Sequence, residues 1–207
     1  MKILLATRNA KKLVELQRIL DAARGCRDVT IVGMSDVPDY AEVPESGLTF
    51  AENALLKARE GATHTGLPTV ADDSGLAVDV MGGMPGILSA RWSGGGGDDA
   101  NLELVLVQIA DLPDTARSAS FVCVAALVMP DGRSWTVEGR MPGRLVRERR
   151  GTGGFGYDPI FVADGEERTN AELSPREKDA ISHRGKAFRG LAEIIARELV
   201  GVRDQRG

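Results

Sequence analysis

The chain has 207 residues, 43% of them hydrophobic and 27% charged, and its 26 basic and 30 acidic side chains leave a net charge of −4. That balance is ordinary for a soluble globular protein with one substantial core, and it excludes a chain that is mainly disordered or fibrous. The acidic balance also speaks against a protein that coats nucleic acid, while leaving room for a local basic pocket for a small anion.

In chain order, Lys2 to Ala6 reads as a buried strand, and residues 11–23 as a helix with Leu13, Leu16 and Leu20 on one face. Val29 to Met34 predicts a second strand, followed by a proline- and acid-rich loop from Asp36 to Gly47. Thr49-Phe-Ala-Glu52 has the pattern of a capping box and opens a helix to about Thr63. Leu67 to Ala71 predicts a short strand running into Asp72-Asp73-Ser74-Gly75. Residues 82–97 are glycine-rich and read as a loop with at most a short helical turn, after which Asp98 or Asp99 is placed to cap a helix carrying Leu102, Val105, Leu106 and Ile109. Ser120 to Met129 is a strand, Asp131-Gly132 a hairpin signal, and Trp135 to Gly139 the returning strand. Further strands are expected at Leu145 to Arg147 and Ile160 to Ala163. Ser174-Pro175-Arg176-Glu177 combines an N-cap, a proline at the first helical position and a capping-box glutamate. The last helix carries the stripe Phe188, Leu191, Ala192, Ile195 and Leu199.

Helices alternate with strands early and hairpins dominate the middle, which predicts an α/β fold, a mixed sheet flanked by helices, with residues 1–207 as a single domain. The two cysteines, Cys26 and Cys123, form no ligand-spaced cluster with His64 or His183, so a zinc site of that type is not expected, and Cys123 reads as a buried hydrophobe. The first apolar run is too short for a signal peptide, and no stretch approaches the roughly 20 apolar residues of a membrane helix. A cytoplasmic location is the simplest expectation.

Four segments can carry chemistry. Thr7-Arg8-Asn9-Ala10-Lys11-Lys12 joins the first strand to the first helix, where free backbone N–H groups favour anions. Two lysines in a first helical turn oppose the helix dipole, and a bound phosphate would relieve that conflict; a solvated turn is the plainer alternative. In Asp72-Asp73-Ser74-Gly75, paired carboxylates at a strand end need a cation or hydrogen-bond donors, and alternation turns one inward and one to support. Mg²⁺ suits such a pair, since it takes few carboxylates and keeps company with waters and phosphates; an acidic turn is the bland reading. Gly151-Thr-Gly-Gly-Phe155-Gly156-Tyr157-Asp158-Pro159 formally matches G-x-G-x-x-G, but it enters a strand rather than opening a helix, so it is not a dinucleotide fingerprint. Its glycines can let a base or phosphate approach with Phe155 or Tyr157 stacking, or simply make a tight loop around two core aromatics. Glu177 to Lys186 gathers Lys178, His183, Arg184 and Lys186, either a donor cluster or a polar helix start.

In order and spacing, these segments resemble the non-canonical purine nucleoside triphosphate pyrophosphatases, the inosine/xanthosine triphosphate pyrophosphatase family. The likeness runs from Leu5-Ala6-Thr7 to His183-Arg184-Gly185, and includes Glu45 to Ala54, Gly82 to Gly86 and Ser89 to Ser93. It implies an elongated mixed β-sheet flanked by helices, two lobes around a nucleotide cleft, and a homodimer. It implies cleavage of ITP, dITP and XTP between the α and β phosphates with Mg²⁺, cleansing the nucleotide pool of deaminated purines. It casts Asp73 as proton acceptor and metal-associated carboxylate, with Glu45 a second acid at the metal. Thr7, Arg8, Asn9, Ala10, Lys11 and Lys12 hold the triphosphate, and Ser74 lies in a substrate-binding turn. Phe155, Gly156, Tyr157 and Asp158 form the base pocket, and Lys178, His183 and Arg184 grip phosphate and the purine edge. Asp72 and Glu52 are supporting residues. Two departures stand out: Arg8 occupies a position where the family commonly has glycine, and Gly94 to Gly97 is an unusual tract. A pyrophosphatase for other modified nucleotides and a non-catalytic nucleotide sensor remain open alternatives. No membrane and no stable nucleic-acid partner is expected.

Overall fold

A computed structural model of the protein describes residues 1–200 apart from 25, 27 and 42, and excludes the side chains at 11 and 200. The elements are β1 (Lys2–Leu5), α1 (Ala10–Ala22), β2 (Thr30–Val32), α2 (Phe50–Thr65), β3 (Thr69–Val78), α3 (Gly97–Gln108), β4 (Ser118–Val128), β5 (Ser134–Leu145), β6 (Phe161–Ala163), α4 (Pro175–Ile181) and α5 (His183–Ile195). The strands hydrogen-bond in the order β2-β1-β3-β4-β5-β6. β1 lies parallel to both β2 and β3, and β5 antiparallel to β6, so the sheet is mixed as expected. No helix among the described residues is long and apolar enough to cross a membrane.

Two elements are longer than the sequence predicts. The strand expected at Leu67 to Ala71 is instead the ten-residue β3, which carries Asp72 and Asp73 in its middle rather than at its end. Carboxylates do not break it, because Val70, Ala71, Leu76 and Val78 are buried around them and each acid meets a cation. β5 runs unbroken from Ser134 to Leu145, taking in the strand expected at Trp135 to Gly139 and only the first residue of the one expected at Leu145 to Arg147. Pro142 suggests a break, yet it falls at an exposed position of the alternation and its carbonyl accepts from the Asp164 N–H at 3.0 Å.

Helix entries differ in detail. Thr49 caps α2, its hydroxyl accepting from the Glu52 N–H at 3.1 Å, but the Glu52 carboxylate accepts from Leu48 rather than closing the box on Thr49. Neither Asp98 nor Asp99 caps α3, which begins earlier at Gly97, with Gly96 as the cap residue. Both acids then lie in its first turn, where they favour the helix dipole and are free to take other partners. Ser174 and Glu177 close the expected capping box on α4.

The chain divides into two compact units. One comprises Met1–Asp73, Val124–Glu138 and the chain from Arg184. Its α2 contributes Ala54, Ala58 and Ala62, small side chains that seat the helix close against Ala71, Val124, Ala126 and Val128. The other comprises Ser74–Cys123 and Gly139–His183, with a core of larger residues including Leu76, Leu102, Ile109, Phe121, Met141 and Phe161. Within it Arg117 is buried and donates to the carbonyls of Ile109, Leu145 and Val146 at 2.7, 3.1 and 3.2 Å. Close packing also explains Gly75: a Cβ there would sit 2.4 Å from both the Gly86 carbonyl and the Ser89 hydroxyl, which bonds Gly86 and Leu76. Gly75→Ala is therefore expected to lower stability by about 1–3 kcal/mol through overpacking, read as a fall in urea midpoint at unchanged m value.

Candidate active site

The turn between β1 and α1 is fixed locally. The Thr7 hydroxyl accepts from the Asn9 N–H at 3.2 Å, and the Lys12 N–H donates to the Asn9 carbonyl at 3.1 Å. Lys12 then reaches Asp72, donating to both carboxylate oxygens at 2.9 Å, and Arg184, in the first turn of α5, donates to the same carboxylate at 3.1 Å. Burial works to raise the Asp72 pKa, but the two cations outweigh it and hold the carboxyl well below the ordinary range. The conflict between Lys12 and its helix dipole is thus relieved by a protein carboxylate, where the sequence suggests a bound phosphate. The Lys11 side chain, expected beside it, lies outside the described residues.

Alternation along β3 turns Asp73 the other way, onto α2. Lys57 Nζ lies 3.0 Å from Asp73 Oδ1 and 3.0 Å from Glu45 Oε1, so one ammonium is shared by two carboxylates. Asn53 donates to the other Asp73 oxygen at 3.2 Å and accepts from the Gly47 N–H at 2.8 Å, tying the Glu45 loop to the helix. Burial pushes the Asp73 carboxyl above its ordinary value, with Glu45 adding repulsion and Lys57 and Asn53 pulling it back. Burial lowers the Lys57 pKa, but Asp73 and Glu45 more than reverse that, so the ammonium stays charged. The sequence reading missed Lys57 and Asn53. Their signal was the four-residue spacing after a capped helix start, which stacks them on one helix face.

A cavity of about 460 Å³ opens here within the first unit, its wall including Thr7, Arg8, Asn9, Lys12, Glu45 and Lys57. No cluster of three or more metal-type ligands occurs among the described residues. Glu45 and Asp73 nevertheless converge on a single cation, Lys57, and offer only hard oxygen donors. That set fits Mg²⁺, which needs one or two carboxylates when waters and phosphate oxygens complete its shell.

The second unit holds the other expected residues. Gly151 to Asp158 is a loop that leads through a short 3-10 turn into β6, consistent with rejecting the dinucleotide fingerprint. Asp158 organises it. Its buried carboxylate accepts from the Phe155 N–H at 2.9 Å and Asn170 at 3.2 Å, and it pairs with Lys178. Gly154 has φ +75°, and a Cβ there would lie 2.2 Å from Asp158 Oδ2, so this turn requires glycine. Asp98 accepts from the Gly156 N–H at 3.0 Å and clips the loop to α3. Phe155 is left 63% exposed, with Lys178 Nζ 5.1 Å from its ring centre. Tyr157 is buried and donates its hydroxyl to the Ser89 carbonyl at 2.8 Å, leaving only the backbone of its turn open to a ligand. His183 is buried and stacks on Phe121 with ring centres 5.0 Å apart, and Ser74 is half-buried in β3. Thr7, Asn9, Lys12, Glu45, Asp73 and Arg184 thus belong to the first unit, and Ser74, Phe155, Asp158, Lys178 and His183 to the second.

Residues 3–194 match the model of the Ham1 family. A dITP/XTP pyrophosphatase of Corynebacterium efficiens is 57% identical over 97% of this chain and 100% of its own length. The crystal structure of a nucleoside-triphosphatase, or dITP/XTP pyrophosphatase, from Mycobacterium abscessus is 57% identical and superposes with a TM-score of 0.77 over 92% of this chain and 98% of that one. A HAM1 protein from Coxiella burnetii is 40% identical, with a TM-score of 0.85 over 95% of this chain and 99% of that one.

Proposed function

We propose, since this chain belongs to the Ham1 family, that it hydrolyses ITP, dITP and XTP to the monophosphate and pyrophosphate and so removes deaminated purines from the nucleotide pool. The enzyme is a nucleoside triphosphate pyrophosphatase. The observation that carries the site assignment is the pair of carboxylates, Glu45 and Asp73, held on Lys57 beside a cavity that also presents Asn9 and Lys12.

Asp73 is the general base. Its raised pKa brings it closer to the pH at which a base works well, and it takes the proton of the attacking water. Water attacks the α-phosphorus, the bond to the bridging oxygen breaks, and pyrophosphate leaves. Mg²⁺ held by Asp73 and Glu45 would neutralise phosphate charge. Lys12, fixed on Asp72, and the backbone of Thr7 to Ala10 hold the polyphosphate, and Lys57 orients Asp73. No covalent intermediate is needed. Phe155 supplies a stacking face for the base. Hypoxanthine and xanthine carry an acceptor oxygen at C6 where adenine carries an amino donor, so a donor from His183, Arg184 or the backbone discriminates between them. A homodimer and a cytoplasmic location complete this reading.

Incubating the protein with ITP and Mg²⁺, beside ATP and GTP, tests it. IMP and pyrophosphate from ITP alone are the expected products, identified by chromatography. IDP and orthophosphate would move the attack to the γ-phosphate and overturn the site. Tight ITP binding without turnover would make the protein a sensor.

A further inference from the structure

We propose that Asp98 is a positioning residue for purine recognition: its hold on the Gly156 N–H sets the orientation of the Phe155 ring, so that capture of the base depends on the first turn of α3 while capture of the phosphates does not. This rests on the pyrophosphatase reading above and gives its base pocket a residue from outside the loop.

An exposed ring is not oriented by packing. Phe155 is 63% exposed, and Lys178 Nζ lies 5.1 Å from its ring centre. The direction of the ring is therefore set by its backbone, which is fixed on both sides. The Phe155 N–H donates to Asp158 at 2.9 Å, and the next N–H, that of Gly156, donates to Asp98 at 3.0 Å. Because each peptide group is planar, two successive amides held on two different carboxylates fix both soft dihedrals of Phe155. The two holds differ in kind. Asp158 is buried, belongs to the loop itself and pairs with Lys178. Asp98 is exposed and reaches the loop from α3, 58 residues away in the chain. An exposed hydrogen bond contributes little to folding, because water replaces either partner. What it changes is the freedom of the peptide group beside Phe155.

The chain around Asp98 holds it in place. Gly97 has φ +81°, and a Cβ on Gly96 would lie 2.6 Å from that of Ala100, so the entry to α3 turns too tightly for other residues. The Ser93 N–H and hydroxyl both donate to Asn101 Oδ1, at 2.7 and 2.8 Å, and Asn101, itself buried, donates to the Ala90 carbonyl at 3.1 Å. The glycine-rich tract that stands out in the sequence is thus the turn that delivers Asp98 to the loop. The same segment meets the loop on either side of Gly156. Arg149 donates to Glu103 at 2.8 Å and to the Asp99 carbonyl at 3.1 Å, and Tyr157 donates to the Ser89 carbonyl at 2.8 Å. With these flanks tied, loss of Asp98 frees Gly156 and the ring before it rather than the whole loop. A freed ring has to be ordered each time a base stacks on it, which weakens capture of the base. The phosphates are held by other residues and are unaffected.

Calorimetric titration with IMP and, separately, with inorganic pyrophosphate, in Mg²⁺ buffer, tests the assignment in wild type, Asp98→Ala, Asp98→Asn and Phe155→Ala, beside steady-state kinetics on ITP. Asp98→Ala is expected to weaken IMP about tenfold, the scale of one hydrogen bond to a charged group, and to leave pyrophosphate within about twofold of wild type. KM for ITP should rise by a similar factor, with kcat changing less than about threefold. Asp98→Asn keeps an acceptor oxygen and should stay within about threefold of wild type. Amide hydrogen exchange at Gly156 should quicken in Asp98→Ala while β3 and β5 stay as protected as in wild type, which also shows that the variant is folded. Unchanged IMP binding in Asp98→Ala overturns the proposal, as does an equal loss for pyrophosphate, or an Asp98→Asn protein as weak as Asp98→Ala. Phe155→Ala keeps that failure apart from failure of the base-pocket reading. If Phe155→Ala weakens IMP and Asp98→Ala does not, the pocket stands and Asp98 has no part in it; IMP binding unmoved by Phe155→Ala removes the pocket, and the proposal with it.

Discussion

Replacing Asp73 by asparagine is expected to cut kcat on ITP by roughly 10²–10⁴ while leaving the protein folded. The loss follows from removing the base beside the proposed metal. Retention of the fold follows from the sign of the pKa shift. The Asp73 pKa is raised above 3.8 in the folded protein, so its ionised form is disfavoured by folding, chiefly through burial. A group raised in this way contributes stability below its unfolded pKa and loses it as pH rises through the folded value. A neutral side chain at this position is therefore tolerated at pH 7, and the thermal midpoint should stay close to wild type. A folded Asp73→Asn protein with near-normal turnover would remove Asp73 from the role of base. An equal collapse of stability and activity would mean that Asp73 holds the helix rather than the water.

Local chemistry and long-range pairing were not equally legible in the sequence. The caps at Thr49 and Ser174 and the apolar stripe of α5 were readable because each is written within a few residues. The length of β3 was not. Two adjacent aspartates read as the end of a strand; Lys12 and Arg184, 60 and 112 residues away, make Asp72 compatible with its middle, and Lys57 does the same for Asp73. Asp98 looked like a cap by position, but two preceding glycines start α3 sooner and the carboxylate goes to Gly156.

The site was legible as residue types and less so as partnerships. The acids, Lys12, Lys178, Arg184 and Phe155 are marked by motif. Which cation serves which acid is not, because the sheet order that places β1 beside β3 is not written locally. Lys57 has no motif of its own, and its role rests on the two carboxylates that meet it. Asp158 is expected at the base pocket, and its buried carboxylate accepts from the Phe155 N–H in the loop that carries that ring.

The partnership that sequence could not show also carries the largest expected effect on stability. Asp72→Asn should destabilise the protein by about 3–5 kcal/mol, since it removes the carboxylate that Lys12 and Arg184 share in a largely buried setting. For a chain of this size each kcal/mol moves the thermal midpoint by roughly 2–4 °C, so a fall of about 6–20 °C is expected. The pH dependence has a definite sign. The Asp72 pKa is depressed in the fold, so its contribution is fully present above the unfolded value of about 3.8 and is lost as pH falls towards the folded one. The gap between wild type and Asp72→Asn should therefore narrow in acid. Pyrophosphate supplies the missing negative charge, so it should raise the midpoint of Asp72→Asn by more than that of wild type. An Asp72→Asn protein that melts with wild type at pH 7 would show that water solvates both cations without help. In that case Asp72 would not be what holds Lys12 at the cavity, and the phosphate contacts would have to be organised by the β1–α1 turn alone.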